Sequence, residues 1–223
     1  GSGVPALLGT FLTEDQIHAW GWRIPFLIGS LAALYSAILR ASITESSLEA
    51  VATEPMSSPI VAAVRDHWRL MLQMVVLLIP PAVIYFVVFV YAASYLTGEM
   101  GFTTGQALDI TTINLILIAF LALLVGKLSD RFGRRPLFLF GAIGTILFAW
   151  PFWWLMQQED IYLVFLGQLG FSIFNAIGWG LSITVLVEMA PPRLRCSTVA
   201  HGYNMSMALF GGTTPVVATY QVR

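Results

Sequence analysis

The stretch Gly126-Lys127-Leu128-Ser129-Asp130-Arg131-Phe132-Gly133-Arg134-Arg135-Pro136 crowds four positive charges into a tight turn between two long apolar runs. Upstream, Ile110 to Val125 carries no charge, and downstream, Leu137 to Met156 carries none either. Each run is long enough to cross a hydrocarbon core of ~30 Å as a helix of ~20 residues. The stretch therefore reads as a hairpin at a membrane surface. A Lys/Arg cluster between two spans belongs on the cytoplasmic side.

Composition agrees. Hydrophobic residues make up 57% of the chain and charged residues 10%, too apolar for 223 residues to clothe themselves in polar surface. A net charge of −1 argues against nucleic acid as a partner. The single cysteine, Cys196, permits no internal disulfide and matches none of the paired metal-ligand spacings, so neither metal nor redox cofactor is called for. Gly1 to Leu12 lacks an initiator Met and a basic leader region, and the chain reads as truncated. Gly1-Ser2-Gly3 fits either a close-packed helix or an added tag.

Taken in order, Gly1 to Leu12 is a short apolar piece closed by the acidic turn Thr13 to Gln16. Interfacial tryptophans at Trp20 and Trp22 then introduce an apolar run from Phe26 to Leu39, a span entered from the non-cytoplasmic side. Residues 40–69 turn polar, with Ser57, Ser58, Pro55 and Pro59, and read as a linker carrying a short surface helix. Met71 to Leu96 is the next span, in which Pro80-Pro81 remove two backbone donors and are expected to kink or break the helix. Further spans follow over Ala107 to Val125, Leu137 to Met156, Ile161 to Met189 and Val199 to Thr219. Of the eleven Lys/Arg, all but Arg23 and Arg223 fall in three turns, around 40–70, 126–136 and 190–198. These alternate with turns holding Glu14, Asp15, Glu99, Glu159 and Asp160, an arrangement that puts the three basic turns in the cytoplasm.

The turn Gly126 to Arg135 resembles the G-x-x-x-D-R-x-G-R-R loop of the major facilitator superfamily. Trp20-Gly21-Trp22-Arg23-Ile24-Pro25-Phe26 is similar to the segment before helix six in its metabolite:proton symporter family, whose members carry proline/betaine, 2-oxoglutarate, citrate and shikimate. Glu188-Met189-Ala190-Pro191, Gly202-Tyr203-Asn204 and Gly211-Gly212-Thr213-Thr214-Pro215 resemble that family's pattern around helices ten and eleven, with Met-Ala replacing an aromatic before the proline. Ile43 to Glu49 keeps the family's Glu and loses both of its prolines. The resemblance implies an all-α transmembrane bundle, cut to run from the end of helix five to helix eleven. Residues 1–40 would close the first half, 41–70 form the central cytoplasmic loop, and 71–223 build the second half without helix twelve.

Solute contacts are sought where polar side chains enter apolar spans, because such groups are costly in hydrocarbon unless they face a cavity or a partner. On the run from Ile161, Gln168, Ser172, Asn175, Trp179 and Ser182 are spaced by four, three, four and three residues and share one face of a helix. They either line the pathway or, with Gly167, Gly170, Gly178 and Gly180, hold helices together. Tyr85 and Tyr91 are further pathway candidates, Tyr95 reads as an interfacial belt residue, Asn114 as a helix-helix hydrogen bond, and His201 as structural. The resemblance makes Gly126, Asp130, Arg131, Gly133, Arg134 and Arg135, with Glu188, a conformational-switch set. Glu188 closes an apolar run and calls for a cation, Arg131 or Arg134, whose fork could take both carboxylate oxygens while the other arginines meet anionic lipid.

No Asp or Glu lies in the middle of a span, so a proton-coupling carboxylate is expected from helices outside this chain. The resulting expectation is a secondary transporter of the bacterial inner membrane. It would be monomeric when complete and would move an organic acid, amino acid or osmolyte in symport with protons. The alternatives are an inert truncated piece, or a membrane-embedded enzyme, for which no Ser/His/Asp or Cys/His constellation is present.

Overall fold

The computed structural model describes residues 3–42 and 59–222, and among these the secondary structure is helical throughout. The Ile43 to Glu49 segment and most of the central loop lie outside the described residues. The chain divides into two compact units, residues 1–56 and 57–223.

In the first unit, α1 (Gly3–Phe11) and α2 (Glu14–Ala19) are separated by Thr13, which forms a reciprocal capping box with Gln16. A single turn of 3-10 helix, Gly21–Arg23, then leads into α3 (Ile24–Ser42), the apolar run anticipated after the tryptophans.

The second unit begins with α4 (Pro59–Tyr85), whose first residue is a proline that gives up no hydrogen bond there. At His67 the backbone leaves helical geometry (φ −128°, ψ 22°), just after the charged pair Arg65-Asp66 that separates a short first segment from the apolar span. Pro80 and Pro81, by contrast, do not break the helix as expected: the helical dihedrals run through both. The reason is visible opposite them, where Gly178 offers no side chain and Pro81 packs so close that a Cβ there would lie 2.8 Å from it. The contact with α8 covers this stretch, and the carbonyls freed by two missing donors are tolerated in a bilayer only where protein covers them. The irregularity falls further on, where Phe86–Tyr91 widens into a π-helix before α5 (Ala92–Gly98) resumes the α form.

A second capping box, Thr103 with Gln106, starts α6 (Thr104–Phe132), and Gly133 ends it. Gly133 has φ +90° and ψ 157°, a conformation reserved for glycine, and this lets the chain reverse at once into α7 (Arg134–Met156). Asp160 caps α8 (Ile161–Met189) by accepting from the Tyr162 N–H at 2.8 Å. The final run is not the single span expected over Val199 to Thr219. It is α9 (Arg195–Ser206), a π segment Met207–Gly211, and α10 (Thr214–Val222), interrupted where Gly211-Gly212 weaken the helix and Pro215 lacks a donor. Among the described residues, five stretches are long and apolar enough to cross a membrane: Gly21–Leu39, Ala63–Gly98, Thr104–Phe132, Arg134–Met156 and Ile161–Met189.

α8 is the axis of the second unit, packed against α7 on one side, α6 on another and α4 on a third. Glycines set how closely it is approached. A Cβ on Gly167 would lie 2.6 Å from the Phe152 carbonyl oxygen, and one on Gly144 would enter the Phe174 ring. The burial pattern is the inverse of a water-soluble domain: Ile146 and Trp150 are 77% and 78% exposed, while Asn114, Gln168 and Ser172 are fully buried. Apolar outside and polar inside is the arrangement that a hydrocarbon solvent selects.

Candidate functional site

The polar stripe of α8 resolves into two parts with different surroundings. Gln168 and Ser172 belong to a bonded knot with α6 and the π segment. Asn114 Nδ2 donates to Gln168 Oε1 at 3.0 Å and to the Ile110 carbonyl at 3.1 Å. Gln168 Nε2 donates to the Val88 carbonyl at 2.7 Å, with Thr111 Oγ1 at 3.4 Å. Ser172 Oγ lies 3.2 Å from Asn114 Oδ1 and 2.8 Å from the Gln168 carbonyl. This is the helix-helix role expected of Asn114, extended to two residues that had also been weighed as pathway candidates. Thr111 joins them without having been singled out, although it sits one turn before Asn114 on the same face.

Asn175 and Trp179 differ. The Asn175 amide and the Trp179 indole N–H are buried and have no hydrogen-bond partner, as is the Thr198 hydroxyl near the start of α9. An unmet buried polar group of this kind costs about 1–3 kcal/mol, so two in succession on one face of α8 need a reason. Asn175 borders a cleft of about 20 Å³, room for one water, shared with Pro80, Pro81 and Gly178. Trp179 meets Tyr85 of α4 edge-on, with ring centroids 5.7 Å apart and an interplanar angle of 73°. It meets Tyr203 of α9 in the same manner at 6.4 Å and 65°. Tyr85 also touches Phe86 and Phe89. Tyr203 was visible in the Gly-Tyr-Asn motif, but nothing in the sequence alone brings it to Trp179.

Ser182, last of the stripe, bonds the Gly178 carbonyl of its own helix. Tyr91 lies 6.2 Å from Tyr95, and Tyr95 in turn meets Trp153 in a tilted contact with centroids 5.8 Å apart. Both are buried, which corrects the reading of Tyr95 as a belt residue: it packs with Leu96, Ala107 and Val164 inside the unit. His201 Nδ1 lies 2.8 Å from the Ser197 carbonyl of its own helix.

At the opposite pole stands Arg134, the first residue of α7. Its Nε donates to Glu188 Oε1 at 2.8 Å, and its NH1 to Asp130 Oδ1 at 2.9 Å and Ser129 Oγ at 3.0 Å. Arg134 is thus the partner of Glu188, but the guanidinium divides itself between two carboxylates instead of gripping both oxygens of one. Asp130 bonds locally, four residues from Arg134. Arg131 points over the Phe132 ring, 5.7 Å from its centroid. Beside the cluster lies an open cleft of about 520 Å³, with Arg134, Arg135 and Glu188 facing Phe138, Leu139 and Val185. Gly126, first of the turn residues, has nothing within 4 Å of where a Cβ would stand. Among the described residues no group of three His, Cys, Asp or Glu could hold a metal.

The sequence profile of the Major Facilitator Superfamily matches residues 1–215. The chain belongs to that superfamily. Over the whole of its length it is 29% identical to the glycine betaine/proline/ectoine/pipecolic acid transporter OusA of Dickeya dadantii (strain 3937). It is 30% identical to the proline/betaine transporters of Salmonella typhimurium (strain LT2) and Escherichia coli (strain K12), again over the whole chain. The chain spans about half the length of these curated relatives, 46% of the first and 47% of the other two. No solved structure matches it. The superfamily assignment and the five long apolar helices make this a multi-pass membrane chain, and the relatives it matches are named as transporters.

Proposed function

We propose that the chain forms part of a secondary transporter that moves a small zwitterionic solute of the proline/betaine kind across a bacterial inner membrane in symport with protons. The observation that carries this reading is the match, over the full chain, to relatives named as proline/betaine transporters. Residues 1–40 would close the first helical half, 41–70 cross the cytoplasm, and 71–223 supply the second half, which rocks against the first about a midplane site. The basic turns at 126–136 and 190–198 lie in the cytoplasm on this reading, where Arg131 and Arg135 meet anionic lipid and Asp130, Arg134 and Glu188 act as a latch. The coupling ion is a proton, no other cofactor takes part, and the working form is a monomer.

The test is uptake of radiolabelled proline and glycine betaine into proteoliposomes under an imposed proton gradient. The whole transporter containing this chain is compared with the chain alone. Uptake by the whole protein that collapses with a protonophore is the expected result. Uptake indifferent to the gradient would remove proton coupling, and uptake of neither solute would remove the transporter reading.

A further inference from the structure

We infer that Tyr85, Trp179 and Tyr203 form the corner that receives the alkylated ammonium end of the solute, with the Trp179 indole N–H and the Asn175 amide provided for its carboxylate. The inference rests on the transporter reading above and adds to it the residues and the charge chemistry of recognition.

Three aromatic side chains arrive here from three separate helices, α4, α8 and α9, and the two outer rings stand steeply inclined to the central indole, at 73° and 65°. In an edge-on pair one ring offers its edge to the other's face, so parting Trp179 from either tyrosine bares a ring face, and such a face attracts a weakly hydrated ammonium. All three are half-buried. They are dry enough for the attraction to escape screening and open enough to be reached. Packing alone accounts for the rings but not for the indole N–H, which is buried without an acceptor although tryptophans usually find one. One turn earlier on the same face, Asn175 repeats the anomaly, 1% exposed with both amide atoms unbonded. Two unpaired donors placed beside a cluster of ring faces suit a molecule that has a carboxylate at one end and a methylated nitrogen at the other.

The charges available nearby support this division of labour. Asp109 is exposed near the start of α6, and Glu188 is bonded to Arg134 at the far end of α8. Asp66 precedes the apolar part of α4, Asp130 is bonded to Arg134, and Glu99, Glu159 and Asp160 stand in the turns between spans, so no acidic residue of the described second unit sits mid-span with Trp179, and a cation there meets ring faces. Such faces discriminate in favour of an alkylated ammonium over a strongly hydrated primary amine. The indole N–H is buried in this conformation, so the solute gains it only when the packing around Trp179 opens. Recognition is thereby tied to movement of α8 relative to the helices that hold Tyr85 and Tyr203 against it.

The test uses the whole transporter in proteoliposomes, with glycine betaine as substrate and tert-butylacetate, its uncharged-headgroup carbon isostere, as competitor. In the parent, the isostere is expected to compete about tenfold more weakly than unlabelled betaine. Trp179→Leu and Tyr203→Leu raise the KM for betaine about tenfold, and Tyr203→Phe leaves it within about threefold, because the ring face is kept. Size-exclusion profiles check that the variants remain folded. Should the leucine variants misfold, the isostere comparison on the parent still decides. Equal competition by the isostere, equal KM in Tyr203→Leu and Tyr203→Phe, or a parent that carries proline but not betaine overturns the inference alone. A parent that carries neither overturns the transporter reading and this inference together.

Discussion

Arg134 is a single side chain with three partners, and its removal should be felt at both carboxylates at once. We predict that Arg134→Ala and Glu188→Gln are non-additive: each lowers the melting temperature in detergent, and the double variant melts no lower than the worse single one. Because both side chains are partly open to water, the coupling should shrink as salt is raised. Arg131→Ala is the control, since its guanidinium lies over Phe132 and takes no part in the bridge to Glu188. Additive losses, or equal losses from Arg131→Ala, would dissolve the latch. The sequence narrowed the cation to two arginines and went no further, because spacing along a turn does not say which guanidinium a glycine of φ +90° will aim at α8.

For single elements, what the sequence showed and what it hid divide along a physical line. Periodicity placed Gln168, Ser172, Asn175 and Trp179 on one face of α8, since a face depends only on the helix that carries it. What each would touch depends on the opposing helix. Asn114 stands across from the first two, and the last two find no hydrogen-bond partner. The same dependence explains Pro80 and Pro81, where intrinsic propensity argued for a break and the absent side chain of Gly178 allowed continuity. Replacing both prolines with alanine restores two backbone donors while removing the ring that fills the space beside Gly178. The expected outcome is normal membrane insertion with slowed uptake, and an unchanged rate would leave the prolines as local packing. The glycines offer a sharper comparison. Gly167→Ala drives a Cβ to 2.6 Å from a backbone oxygen of α7 and should cost about 1–3 kcal/mol. Gly126→Ala meets nothing within 4 Å inside α6, and its melting temperature should match or exceed the parent's. Equal melting of the two variants would mean that α7 and α8 are not packed as described.

Across the whole molecule, charge and hydropathy were sufficient to lay out the five spans that end at Met189, though not the run from Val199 to Thr219, because a bilayer punishes misplaced charge and unpaired backbone far more than it rewards any local preference. Interruptions within spans were not legible in that way: the π segment at Phe86–Tyr91 carries no glycine or proline, and the one at Met207–Gly211 begins four residues before its glycine. The topology has a convenient native reporter. Cys196, the chain's one cysteine, is exposed in the first turn of α9, beside the basic residues Arg193 and Arg195. A membrane-impermeant maleimide should label it in inside-out vesicles and spare it in right-side-out vesicles. Labelling in the opposite orientation would invert every loop assignment made from the basic turns.

The π segment before α5 also bears on how such chains are compared. A π turn accommodates one residue more than the α-helix it interrupts, so everything after it is rotated by about one residue's angle, near 100°. The Val88 carbonyl within the widened turn is held by Gln168 from α8, which fixes the slipped register in place. Counting in steps of 3.6 from Leu78 therefore gives the wrong phase for Tyr95. An alignment that carries this stretch without a gap onto a relative whose helix is regular would pair inward residues with outward ones. A lineage that lost one residue between Phe86 and Tyr91 would have had to repack α5 to keep the same interior.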